Sequence, residues 1–310
     1  MVQKMIHYLY KRYFKPNDIS YFISRSCHEM SCLLANFNMK NTFLDRKLHD
    51  ALITENVRII EQCVVNLDRF NLYGIREAAI YSFRILSDYF LSIQNKKNAP
   101  RMSLRTISFD EEKAKTTSIF HTSPSSKAFE DRISIEDDLS LLTAFQSARP
   151  YFNNDIPSSA KKFKYYNSSL QKDRLFSYKP SYCSEISNKI DKSWTACWMN
   201  SKGEAYNEED CFKSTIVSPL VLDGLFYRNT ELLSDYQELF GVKDRNNIIC
   251  GFICLDAPYT HYFSETDIDI VNIIAQFLVH FFITYHSYTR ISKNYIDAKA
   301  ITPIKNDHSS

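Results

Sequence analysis

Glycine is scarce in this chain, five residues in 310, and none falls in a G-x-G-x-x-G or G-x-x-x-x-G-K-[ST] pattern. Without such a loop there is no backbone cradle of the Rossmann or P-loop kind for nucleotide phosphates. No G-x-S-x-G elbow accompanies any serine, which removes the strained turn that presents a hydrolase nucleophile. An excess of one charge sign is also missing. With 38 basic and 36 acidic residues the net charge is +2, so no global field favours nucleic acid or an anionic membrane, and no nucleic-acid partner is expected.

Zinc-type spacing is absent from the eight cysteines, Cys27, Cys32, Cys63, Cys183, Cys197, Cys211, Cys250 and Cys254, since no C-x-x-C pair occurs. No signal peptide is read at the start, so free buried thiols are expected. Cys250 and Cys254 are four apart on an expected strand, which puts them on one face about 13 Å apart, too far for a disulfide. His261, His280 and His286 fit no common ligand spacing, and no metal site is expected. The most apolar run, Ile268 to Tyr285, is interrupted by Asp269, Asn272, Gln276 and His280, so no membrane span is expected and the cytoplasm is the default location. Met5 to Lys15 interleaves tyrosines with lysines and arginine. It reads as a packed first helix, with a basic interfacial helix as the alternative.

What is abundant is apolar periodicity. From Asp18 onward Ile19, Phe22, Ile23, Cys27, Met30, Leu33, Leu34 and Phe37 recur every three or four residues, one stripe of a helix capped by Asp18. A second helix is expected from about residue 45 to 72, punctuated by Gly74, and a third over 75–95, ending before Pro100. The first hundred residues are therefore read as wholly helical.

Past Pro100 the period changes. Arg101–Phe109 and Lys115–His121, around the polar turn Asp110-Glu111-Glu112, read as a hairpin, although composition alone makes residues 110–134 a Ser/Thr-rich linker. Ser134-x-x-Asp137 opens a short helix ended by Arg149-Pro150, and Tyr151 to Ile156 form a short strand. Residues 158–210 are polar, aromatic and irregular. The apolar runs Cys211–Val221 and Ile248–Asp256 have the length of core strands. Ser264-x-x-Asp267 then caps a helix carrying Ile268, Val271, Ile274, Ala275, Leu278, Phe281, Phe282 and Tyr285, and the tail from Ala300 is expected to be disordered.

Lys213-Ser214-Thr215-Ile216 with Pro219, Gly251-Phe252-Ile253-Cys254-Leu255-Asp256, Phe263-Ser264-x-x-Asp267 and Arg149 to Ile156, in this order, resemble a GAF domain over residues 75–285. The resemblance implies an α+β fold: a central antiparallel sheet flanked by helices, with a pocket on the face opposite the terminal helices, preceded by an all-helical N-terminal region. Residues 1–74 are assigned to that region, 75–290 to the GAF-like domain and 291–310 to a partly disordered tail. The paired Asn-Lys, Phe and Asp pattern of cyclic-nucleotide-binding members is not intact, and the Cys-His of bilin-attaching members is missing from the domain. No cofactor is named.

Seven residues are candidate ligand contacts. Asp155 stands where a carboxylate meets a ligand or caps the following turn. Trp194 and Trp198, four apart, wall a planar ligand or pack a core. Tyr166 and Asn167, with Tyr165, lie in the variable stretch, as ligand contacts or as surface loop. Ser214 and Thr215 open a core strand, with hydroxyls for the pocket. No catalytic residue stands out, so the expected role is a non-enzymatic signalling or regulatory protein whose small-molecule or partner occupancy passes to its terminal helices. A homodimer through helices 75–95 and 265–285 is expected with it. The alternatives are a scaffold with a collapsed pocket, and a redox enzyme of the GAF-type methionine sulfoxide reductase kind, which needs reactive cysteines beside the pocket.

Overall fold

The computed structural model describes residues 19–54, 57–110, 113–122, 133–179, 192–199, 203–206, 211–223 and 247–301. Met5–Lys15, Cys183, the hairpin turn at residues 111–112 and the last nine residues lie outside the described residues.

Two long helices open the described chain, α1 (Ile19–Ile53) and α2 (Val57–Asp88), and α2 ends in a π-helical turn over Tyr89–Ile93. Three expected helices are thus two. The break falls at Thr54 rather than near residue 40, and α2 runs straight through Gly74, so the division set between residues 74 and 75 falls inside a helix. The reason is packing. A β-carbon on Gly74 would stand 2.0 Å from the Phe37 ring, so this glycine is the hole that receives a knob from α1 and not a helix stop.

Six antiparallel strands follow, in spatial order β3-β2-β1-β6-β5-β4, comprising β1 (Arg101–Asp110), β2 (Lys113–His121), β3 (Ile133–Ser134), β4 (Tyr151–Asn153), β5 (Ser214–Asp223) and β6 (Asn247–Ala257). The helical connections are α3 (Leu139–Ser147), α4 (Ile156–Lys161), α5 (Lys172–Ser177), α6 (Lys192–Thr195) and the closing α7 (Glu265–Ile301). Residues 291–301, expected in the tail, continue α7.

Because side chains alternate along a strand, β1, β5 and β6 serve two cores at once. Met102, Leu104, Ile216, Leu220, Ile253 and Leu255 pack against Ala78, Phe83 and Leu86 of α2 and Val271, Ile274 and Leu278 of α7. Ile107, Val217, Phe252 and Cys254 face the other way, onto Ile135, Leu141 and Ala144. A bulge breaks the alternation in β6: Leu220 pairs with Gly251 and Val221 with Ile249, which leaves Cys250 as the extra residue. Cys250 consequently joins the helix-side core and Cys254 the opposite one. The expectation that they share a face is corrected by that one inserted residue.

The stretch Glu265–Ile283 is long and apolar enough by composition to cross a membrane. Its apolar residues are spent on the sheet. α1 covers the same two helices from outside: Met30 and Phe37 are buried among them, with the Phe37 and Phe281 rings 4.9 Å apart and the Phe22 and Tyr89 rings 5.3 Å apart. Part of each of the two helices named for a homodimer is thus packed against α1. At the sheet end Tyr89 Oη donates to Asp267 Oδ1 at 2.6 Å, Gln94 Nε2 donates to Tyr89 Oη at 2.7 Å, and Asp267 Oδ2 caps α7 by accepting from Ser264 N at 2.7 Å. Asp267 is fully buried, so this shared carboxylate pins the end of α2 to the start of α7.

Glycine inside an exposed helix costs about 1 kcal/mol relative to alanine, so Gly74→Ala would ordinarily stabilise. Here it is expected to lower the unfolding free energy by about 1 kcal/mol net, since overpacking a fixed ring costs about 1–3 kcal/mol. The shift of the urea midpoint measures this, and a rise would show that Phe37 has room to move.

Candidate functional site

On the face away from α2 and α7, β1 presents Arg101, Ser103 and Arg105, every second residue, between the buried Met102 and Leu104. The neighbouring strands supply their counterparts in register. Arg101 pairs with Asp256, Ser103 with Cys254, and Asp256 in turn with Thr215. Arg101 Nη2 donates to Asp256 Oδ2 at 3.1 Å with both side chains only 12% exposed, and Thr215 Oγ1 donates to Asp256 Oδ1 at 2.8 Å. Phe212 stacks over the Arg101 guanidinium, 5.7 Å from the ring centre. An ion pair taken this far from water is held by such extra contacts and not by its Coulomb energy alone.

The cover over this face starts at the N-terminus of α3. Asp138, not the expected Ser134 or Asp137, is its cap: Oδ1 accepts from Ser140 N at 2.8 Å and from Ser140 Oγ at 2.5 Å. Its Oδ2 accepts from Asn167 Nδ2 at 2.7 Å, and Asn167 Oδ1 accepts from Ser169 N, so one carboxylate fastens the variable loop onto the helix. Beyond that loop Trp198 forms the roof, bridged to Leu170 and stacked with Phe212 at 4.8 Å and Trp194 at 5.8 Å. Trp194 Nε1 donates to Phe212 O at 3.0 Å.

Between floor and cover lies a cavity of about 60 Å³. Its walls include Arg101, Arg105, Asp138, Asn167, Trp198 and Asp256, four of them charged. Burial raises the Asp138 carboxyl above its ordinary value and pushes the Cys254 thiol up to about 12. Arg105, itself buried, donates from Nη1 to Thr116 Oγ1 at 3.3 Å. Among the described residues no three His, Cys, Asp or Glu side chains gather as a metal ion would need.

Three of the seven candidate contacts, Asn167, Trp198 and Thr215, meet at this cavity. The other four do not line it. Asp155 caps α4, accepting from Ser158 N at 3.0 Å, and borders a separate open cleft with Lys161, Tyr178 and His261. Tyr166 is 38% exposed, contributing its carbonyl to Leu139 N. Trp194 packs beneath Trp198, and Ser214 Oγ donates to Tyr259 O. Trp194 and Trp198 do not share a helix, because α6 ends at Thr195; their rings meet edge to face. Sequence reading missed Arg101, Ser103, Arg105, Asp138 and Asp256. The signal for the first three was the alternation of polar and apolar residues in β1, which reads equally as one strand face in water.

No family model matches the chain, and no curated protein matches it. Solved structures do. The type II free methionine-R-sulfoxide reductase from Thermoplasma acidophilum is 12% identical, with 71% of this chain and 96% of that chain covered and a TM-score of 0.36. The free methionine-R-sulfoxide reductase from Neisseria meningitidis is 13% identical, with 71% and 90% covered and a TM-score of 0.33. The GAF domain of an Acinetobacter phosphoenolpyruvate-protein phosphotransferase is 8% identical, with 72% and 94% covered and a TM-score of 0.35. The antiparallel six-stranded sheet between terminal helices and a covered cavity is a GAF-like α+β fold. The expectation that the chain is not an enzyme is corrected by these matches, because reductases stand among them beside a GAF domain and the fold does not separate the two.

Two outcomes are expected at the cavity. A carboxyl raised in the folded state binds its proton more tightly there than in the unfolded chain. Its stabilising contribution is complete below the ordinary value near 3.8 and fades as pH rises through the folded value. Asparagine keeps the cap but cannot titrate, so wild type should lose stability relative to Asp138→Asn as pH climbs from about 3 to 7. Urea midpoints of both proteins across that range decide it, and a difference that is flat or of opposite slope would refute the raised carboxyl. Cys254, held protonated, should escape iodoacetamide at pH 8 while the exposed Cys32 reacts. Peptide mass mapping before and after urea reads this directly; rapid native labelling of Cys254 would make it a reactive thiol.

Proposed function

We propose that the chain is a small-molecule-binding GAF-like protein that takes its ligand in the cavity between the β1-β6-β5 face and the Trp198 cover, and passes occupancy to its helices. The observation that carries this reading is the concentration of largely buried charge on that face: Arg101, Arg105, Asp138 and Asp256 line one cavity. Charged side chains are rarely retained inside a domain without a task, because apolar residues of similar size fill a core at lower cost.

Transmission needs a part shared by both faces, and β1 and β6 are that part. Where they pair, a β-carbon on Gly251 would stand 2.2 Å from Arg105 O and 3.2 Å from the Phe282 ring of α7. A ligand that moves the Arg105 backbone thus moves a strand already in contact with the closing helix. Only a ligand with different affinities for two such arrangements transmits anything.

The second reading, a scaffold with a closed pocket, is favoured by the volume. About 60 Å³ is well below the roughly 300–1,000 Å³ of ordinary ligand pockets, and Trp198, Tyr206 and Phe212 supply the filling. Thermal unfolding across a panel of small polar metabolites separates the two. A ligand at 100 times its dissociation constant adds about 2.7 kcal/mol, and Val217→Phe, which fills the cavity from its floor, should abolish the gain. Hydrogen exchange should then slow in α1 and α7 as well as around the cavity; stabilisation without slowing in the helices would remove transmission, and no stabilisation by any ligand would favour the scaffold.

A further inference from the structure

The cavity is lined by a buried donor that lacks an acceptor. Both carboxylates are already occupied: Asp256 accepts from Arg101 and Thr215, and Asp138 from Ser140, Leu141 and Asn167. Trp198 Nε1, by contrast, belongs to a side chain only 2% exposed and has no hydrogen-bond partner, and the Ser103 hydroxyl, as buried, lies beside the Cys254 thiol. An indole N–H can only donate. Leaving it buried without an acceptor carries a desolvation penalty that a ligand oxygen removes. Arg105 lines the same space with a planar guanidinium.

We propose that Trp198 Nε1, Ser103 Oγ and the Arg105 guanidinium form a subsite for the carboxylate of a small monocarboxylic acid, an assignment that rests on the cavity being a ligand site at all. A carboxylate is planar, accepts several hydrogen bonds at once and matches the guanidinium fork. Size limits the remainder of the molecule. One water needs about 10–15 Å³ of such space, so a cavity of about 60 Å³ holds a body of roughly four to six heavy atoms. Charge limits it as well. Asp138 and Asp256 line the same cavity, so a phosphate dianion meets two like charges where a monocarboxylate brings only one negative charge to Arg105.

The chain has two tryptophans, and their indole N–H resonances give the test on the full-length ¹⁵N-labelled protein. Trp194 already donates to Phe212 O and serves as the internal reference; Trp198→Phe assigns the two peaks. Acetate, propionate and pyruvate are titrated against acetamide, propionamide and inorganic phosphate at constant ionic strength. The expected result is a saturable downfield movement of the Trp198 peak with carboxylates, which bind at least about tenfold more tightly than the matching amides. Arg105→Met should erase that preference, and Ser103→Ala should weaken carboxylate binding if the Arg105 variant does not fold. Amides that bind as well as carboxylates, or phosphate that binds better, would overturn the carboxylate subsite and leave the ligand cavity standing. A Trp198 peak that no probe moves overturns the subsite, and if the metabolite panel also leaves the melting temperature unchanged the cavity falls with it.

Discussion

Three strands with no face left for water set the terms for the rest of this molecule. β1, β5 and β6 are covered by α2 and α7 on one side and by α3, the variable loop and Trp198 on the other. A residue on such a strand is committed to one of two interiors by its parity alone. Met102 and Leu104 go to the helix side; Arg101, Ser103 and Arg105 go to the cavity. Polar groups driven inside in this way must be paired, and the cross-strand register does the pairing by setting Asp256 opposite Arg101 and beside Thr215. The charged cavity is thus a consequence of sheet register, and its contents are inseparable from the strands that also hold the helices.

The helical layer shows the same economy. α1 lies across α2 and α7, with Phe37 seated over Gly74 and against Phe281. The Tyr89–Asp267 hydrogen bond and the α7 cap share one buried carboxylate, so the π-helical end of α2 and the first turn of α7 are coupled in position. Farther from the sheet, Leu48, Ala51, Ile60, Cys63 and Val64 make a small core of their own between α1 and α2. The bundle therefore continues past the domain that it covers.

How much was legible follows from range. The two core strands, the closing helix and its Ser264–Asp267 cap depend on neighbours within a few residues, and each is present close to where periodicity placed it, while the hairpin needed the family resemblance to separate it from a linker. Asn167, Trp198 and Thr215 were found as candidate contacts and do reach the cavity. Asp155 caps the following turn and Tyr166 lies at the loop surface, the second of the two readings open to each, because the segments that set their surroundings are distant in sequence. Gly74 was misread as a stop because its close neighbour, Phe37, is 37 positions earlier. The bulge at Cys250 has no local marker beyond the following glycine, and it alone reversed which core receives that thiol.

The order of helices and strands, and the two-residue alternation that makes β1 amphipathic, are written in the chain itself, because they arise from interactions among near neighbours. Which side of that alternation faces the cavity and which faces the helices was decided only when β6 came between β1 and β5 and when Asp138 drew the variable loop over the sheet. Buried charge shows its partners only across such distances. An arginine in a strand looks the same in sequence whether water or Asp256 awaits it, since the carboxylate that completes it is 155 residues away.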